Sequence, residues 1–151
     1  MSITITLERA DTDAAIELVA ELEAILSQIY PSESRHGYSV EKLIREGVAF
    51  YVIRVDGRPA GCGGVQLFGT EYGELKRMFV RPKFRGQGLA KLLLHQLTTH
   101  CREHGVNLLR LETGMHQIEA IGLYERMGFT SIGPFGEYRV DPNSRFFEKK
   151  I

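Results

Sequence analysis

The sequence predicts an α/β fold: one mixed, mostly antiparallel sheet flanked by about four helices. Three observations predict it. A hairpin signature centres on Asp56-Gly57, between apolar runs at 48–55 and 59–68. A strand ending at Val80 is followed by a helical pattern from Leu89 and a further apolar strand at 108–111, a βαβ unit whose crossover is parallel and right-handed. Finally, 151 residues with 43% hydrophobic and 25% charged content suit a single domain, residues 1–151, with a full core.

Taken in order, Ile3, Ile5 and Leu7 alternate with polar neighbours, the two-residue period of a half-buried strand. Asp11 or Thr12 caps the first helix, since a side-chain oxygen there accepts from its free N–H groups. Its apolar stripe runs from Ala15 through Leu18, Leu22 and Leu26 to about Tyr30, where Pro31 ends it. Residues 31–38 read as a polar loop and 40–45 as a short helix. Within Glu74–Val80 the apolar parity slips, because Leu75 is out of phase with Met78 and Val80; a bulge at Lys76 or Arg77 restores it. Leu92, Leu93, Leu97 and Cys101 keep helical spacing, and Gly105 stops that helix. The strand from Leu108 closes at Glu112-Thr113-Gly114. A fourth helix spans 117–127 with Ile118, Ile121 and Met127 inward; a strand at 129–132, a loop at 133–138 and a last strand at 145–149 complete the chain.

Nineteen basic residues balance nineteen acidic ones, so nothing global implies nucleic acid or a membrane surface as partner. Cys62 and Cys101 are expected to be reduced core thiols, not a disulfide or a nucleophile. The start lacks a basic region before an apolar stretch, and no run reaches the roughly eighteen apolar residues of a membrane span; a cytoplasmic location is expected. His36 alone makes no metal site.

The functional signal lies between Val80 and Ala90. An apolar strand stops at Pro82, and a loop with Lys83, Arg85, Gly86 and Gly88 feeds a helix start. Amides in a first helical turn lack intrahelical partners and carry the positive end of the helix dipole. Glycines let an anion approach the backbone, and Arg85 adds a planar donor fork. A phosphate or pyrophosphate ligand is expected. The loop has neither the Gly-Lys-Ser/Thr of a P-loop nor the three glycines of a dinucleotide fingerprint.

What it carries is Arg-x-x-Gly-x-Ala after a strand ending Val-x-Pro, and Ala120, Leu123, Tyr124, Gly128 and Phe129 follow as Ala-x-x-Leu-Tyr-x-x-x-Gly-Phe. Together these resemble the two signature segments of the GNAT superfamily of N-acetyltransferases. The resemblance implies the GNAT fold, a sheet splayed at its centre, acetyl-CoA as cosubstrate and no metal. It places the backbone of Met78, Phe79 and Val80 on the pantetheine arm. Arg85, Gly86, Gln87, Gly88, Leu89 and Ala90 fall at the pyrophosphate, and Gln117, where the family usually has asparagine, beside the cofactor. Arg126 falls towards the adenosine end. Tyr124 takes the family's tyrosine position, protonating the leaving thiolate and touching the cofactor. Glu74 is the expected base, Glu112 its rival and His116 a third candidate, with no dedicated base as the remaining alternative. Tyr30, Arg35, His36 and Glu112 flank the acceptor, and Arg35 with His36 point to an anionic group on it. The expected activity is acetyl transfer to a primary amine of a small molecule or peptide, by direct attack in a ternary complex, since no cysteine sits in an acyl-enzyme motif. The alternative is a non-catalytic acetyl-CoA-sensing module that regulates a protein partner. The acceptor's identity, and whether the chain forms a homodimer, stay open.

Overall fold

Side chains that are apolar on both faces of the central strands require a sheet covered on each side. The computed structural model describes residues 1–151 and meets that requirement. Its strands are β1 (Ile3–Glu8), β2 (Ala49–Val55), β3 (Arg58–Phe68), β4 (Tyr72–Val80), β5 (Leu108–Gly114), β6 (Thr130–Ile132) and β7 (Ser144–Lys150). The helices are α1 (Asp13–Ser27), α2 (Val40–Arg45), α3 (Leu89–Glu103) and α4 (Ile118–Arg126). The seven strands form one sheet in the order β1-β2-β3-β4-β5-β7-β6. Only β4 and β5 pair in parallel. Leu93, Leu94, Leu97 and Cys101 of α3 pack on one face with Leu109, Leu111 and Tyr124. Leu18, Val19 and Leu22 of α1 and Leu43 of α2 cover the other with Phe50, Val52, Cys62 and Phe79.

The expected bulge is present and has a structural consequence. β3 pairs Cys62 with Phe79 and then Gly64 with Lys76, so the register jumps, and Arg77 adopts a positive φ of 53°. That conformation costs a non-glycine residue about 1–2 kcal/mol. Three bonds hold it: the Nε–H donates to the Tyr38 carbonyl at 2.9 Å, an Nη2–H to Glu23 Oε2 at 2.8 Å, and the Arg77 carbonyl accepts from the Cys62 thiol at 3.3 Å. A bulge bends its strand. Accordingly β4 and β5 pair only at Gly73–Leu109 and Glu74–Arg110, and beyond that point the sheet splays open.

Several boundaries and orientations differ from expectation. Thr12 is the cap of α1, its hydroxyl accepting from the Ala15 N–H at 3.3 Å, but the helix stops at Ser27 and not near Tyr30. Past that end the Tyr30 N–H still bonds the Leu26 carbonyl at 2.9 Å, and the Tyr30 hydroxyl accepts from the His116 N–H at 2.9 Å, which ties the helix end to the β5–α4 connection. Leu92 is 39% exposed and Leu94 buried in its place, since the Leu89, Leu93, Leu97 row sets the inward face of α3. Ile118 is 72% exposed: it lies in the first turn of α4, on the rim of a cleft and not over the core. α4 itself begins at Ile118, with Gln117 as the residue before it.

Candidate active site

The site is built where the splay leaves backbone without a neighbour. On one side a cleft of about 690 Å³ lies between β4, the start of α3 and α4. Met78, Phe79, Val80, Arg85, Gly86, Gly88, Leu89, Ala90, Gln117 and Tyr124 all line it, with Arg126 at its edge. Gln87, expected among them, is exposed and does not, because the loop turns its side chain to solvent. His116 lines this cleft too, its ring 5.7 Å from that of Tyr30.

The helix entrance suits a diphosphate. Gly86 and Gly88 have φ of 80° and 76°, open to glycine at no steric cost, and a Cβ at either would meet nothing within 4 Å. Gly88 is the N-cap and brings no capping side chain. The Leu92 N–H is bonded to the Gly88 carbonyl at 3.2 Å, so the amides of Leu89, Ala90 and Lys91 precede the first helical bond and are free to donate. Arg85 is aimed by the end of the preceding strand: its Nε–H donates to the Val80 carbonyl at 3.0 Å, leaving the far end of the guanidinium free apart from Glu119 at 3.7 Å.

A central gap of about 130 Å³ runs between Leu75–Met78 and Leu111–Gly114. It shares Met78, Gln117 and Tyr124 with the cleft. Tyr124 is 5% exposed, its ring edge-on to Phe129 at 5.6 Å, and its hydroxyl bonds no protein group. Burial pushes that phenol's pKa up, which keeps the proton on the oxygen. Glu112 stands on the gap wall, accepting from the Ser144 hydroxyl at 2.7 Å; burial raises its carboxyl above the usual range. Glu74 is elsewhere. It is 3% exposed, bonded to Lys76 Nζ at 2.7 Å and to the Tyr138 hydroxyl at 2.5 Å, and it faces a third recess.

That recess, about 1210 Å³, lies between the 31–38 connection and the tail at 136–143, and shares Arg35, His36, Lys76 and Tyr138 with the gap. The two walls are tied together: the Ser34 hydroxyl donates to Asp141 Oδ2 at 2.7 Å, and Asn143 Nδ2 donates to the Ser34 oxygen at 3.2 Å. His36 meets Tyr138 edge-on at 5.2 Å. Tyr30 lines the gap but is a clamp, pressed against Gly114, where a Cβ would lie 2.0 Å from its hydroxyl. Arg35 is engaged by Glu23 at 2.9 Å. Both cysteines are fully enclosed, and burial pushes the thiols up to about 12 for Cys62 and about 11 for Cys101, which makes poor nucleophiles of them.

Sequence reasoning gave no role to Lys76, Arg77, Tyr138 or Ser144. A signal for the first two was present, since two adjacent cations between Leu75 and Met78 in a strand expected to be covered have to find partners when buried. No group of three or more His, Cys, Asp or Glu is placed to hold a metal, and no helix is long and apolar enough to cross a membrane.

Comparison with known proteins agrees with this geometry. The acetyltransferase (GNAT) family model matches residues 17–129. A protein named IAA acetyltransferase from Azospirillum brasilense is 40% identical over 152 residues, 99% of each chain. A crystal structure from Klebsiella pneumoniae, described as an acyl-CoA N-acyltransferase, superposes with a TM-score of 0.84 at 35% identity, covering 98% of this chain and 97% of that one. The PaiA N-acetyltransferase of Thermoplasma acidophilum, solved with coenzyme A, has the same fold at 23% identity, with a TM-score of 0.79 and full coverage of both chains. A splayed sheet, an uncapped helix entrance and full-length kinship with named acetyltransferases lead to one conclusion: this chain belongs to the acetyltransferase (GNAT) family of enzymes.

Proposed function

We propose that the chain transfers an acetyl group from acetyl-CoA to a primary amine of a small molecule or peptide by direct attack within a ternary complex. The observation that carries this reading is the continuity of the gap between β4 and β5. It opens through Met78, Gln117 and Tyr124 to the helix-entrance cleft and through Lys76, His36 and Tyr138 to the recess opposite. Two molecules entering from opposite sides meet there.

When bound, acetyl-CoA supplies the reactive thioester. The amides of Leu89 to Lys91 with Arg85 hold its diphosphate, and the β4 backbone from Met78 to Val80, which has no neighbour on its β5 side, holds the pantetheine arm as an added strand would. Glu112 takes the proton of the acceptor amine; its raised pKa and seat on the gap wall suit it better than Glu74, whose carboxylate is occupied by Lys76 and Tyr138. As the amine nitrogen bonds to the acyl carbon, the carbon–sulfur bond breaks and the Tyr124 phenol gives its proton to the departing sulfur, later regaining one from solvent. Backbone N–H groups of the splayed strand stabilise the charge that grows on the acyl oxygen. The enclosed thiols argue against an acyl-cysteine.

The test is thiol release from acetyl-CoA across a panel of amines, with mass spectrometry of the protein incubated without acceptor. Acceptor-dependent release with no acetylated cysteine supports direct attack. Tight binding of acetyl-CoA with no transfer to any amine would instead favour a sensing module.

A further inference from the structure

The gap contains positive charge that the acetyl-transfer chemistry does not use. Arg35 and Arg77 both line it, and both bond the same carboxylate: Arg35 Nη1 reaches Glu23 Oε1 at 2.9 Å and Arg77 Nη2 reaches Glu23 Oε2 at 2.8 Å. Sharing one carboxylate sets the two guanidiniums side by side, and one negative charge against two positive ones leaves one positive charge over. Of the other ionic groups nearby, Lys76 is matched by Glu74, and Arg81 takes the two carboxylates of Glu17 and Glu21, a separate cluster with one negative charge over.

Each guanidinium also keeps one buried donor with no acceptor in the protein, Nε of Arg35 and Nη1 of Arg77. The Arg77 side chain is 4% exposed, so its spare N–H cannot turn to bulk water. Burying an unsatisfied charged donor is among the costlier things a fold does, and it persists where a ligand completes the bond. Gly37 fits the arrangement, because a Cβ there would lie 2.3 Å from the Arg77 guanidinium. Across the gap stands Glu112, a carboxylate with a hydroxyl partner but no cation bonded to it.

We infer that the acceptor is a small zwitterion of the amino-acid class, its carboxylate held by the spare N–H groups of Arg35 and Arg77 and its amine presented to Glu112. This rests on the acetyl-transfer reading and narrows it. A planar carboxylate has two acceptor oxygens for two donors and answers the one positive charge left within the cluster of Arg35, Arg77 and Glu23. The large polar recess beyond, bounded by Tyr38, Gln66 and Tyr72, would receive the rest of the molecule.

The experiment compares matched acceptors on the unmodified protein: leucine, leucinamide and 3-methylbutylamine, then the same series with glutamate and lysine, all by thiol release. At least one amino acid is expected to exceed its amide and its decarboxylated amine in kcat/KM by roughly 10- to 100-fold, the worth of charge-assisted bonds to a carboxylate. Arg35→Ala should shrink that ratio below about 3-fold through KM, with coenzyme A affinity by calorimetry unchanged. Arg77 also holds the bulge, so the comparison on the unmodified protein keeps the inference testable even if Arg77→Gln does not fold. If amides and simple amines are acetylated as well as the acids, the zwitterion reading is wrong and acetyl transfer stands. If no amine of any kind releases thiol while coenzyme A binds, the parent reading fails and this one with it.

Discussion

Replacing Tyr124 with phenylalanine separates the proposed acid role of its hydroxyl from any structural one. The ring is packed edge-on to Phe129 at 5.6 Å and tilted against Phe147 at 6.5 Å, contacts that phenylalanine keeps. The hydroxyl bonds no protein group and is not among the buried polar atoms left without a partner, so it reaches the space of the gap. A hydroxyl that faces the gap and bonds no protein group gives the fold no bond to lose, so its removal should be neutral or mildly stabilising, within about 1 kcal/mol. At about 2–4 °C per kcal/mol for a chain of this size, the melting temperature should stay level or rise by a few degrees. Turnover should behave oppositely. A positioned general acid contributes about 10²- to 10⁴-fold, and kcat for thiol release should fall by that factor while coenzyme A affinity holds. Parallel measurements of thiol release, thermal melting and calorimetry on the two proteins read all three quantities. A kcat within threefold of the unmodified protein would refute the acid role. A large loss of melting temperature would refute the reading of the hydroxyl as structurally idle.

Glu112→Gln should lower kcat/KM by about 10²-fold or more and flatten its acid limb in a pH profile. The stability effect has a defined sign: burial raises this carboxyl's pKa above 4.5, so its contribution to stability is complete below that pH and is lost as pH rises through the folded value. The glutamine variant should therefore melt higher than the unmodified protein near neutrality, with the two converging below about pH 4.5. Arg85→Ala, at a side chain 45% exposed, should leave chemical denaturation unchanged and weaken coenzyme A binding roughly 10-fold or more, seen by calorimetry. Gly114→Ala sets a methyl 2.0 Å from the Tyr30 hydroxyl, itself pinned by the His116 N–H, and should destabilise by about 1–3 kcal/mol in urea denaturation.

Much of the helix-entrance cleft was legible because its information is local. Loop spacing, paired glycines and a helix start occupy eleven consecutive residues, and the out-of-phase Leu75 located the bulge to within a residue of Arg77. The acceptor side was not, because its partners are distant in sequence. Arg35 and Arg77 meet through Glu23, Ser34 reaches Asp141, and Glu74 is enclosed by Tyr138, pairings set by the fold and by no repeat or spacing. That is also why Glu74 reads as the base in the sequence, standing at the head of the bulged strand, while the coordinates give the gap wall to Glu112. Ile118 follows helical periodicity yet is exposed, since periodicity marks an apolar face without saying whether core or cleft lies against it.

A crystal structure of the protein with coenzyme A tests the whole account most directly. The diphosphate should rest on the amides of Leu89, Ala90 and Lys91 beside Arg85, and the pantetheine arm should lie along Met78 to Val80 with its sulfur at the Tyr124 hydroxyl. Coenzyme A bound elsewhere, or a sulfur directed away from the gap between β4 and β5, would contradict it.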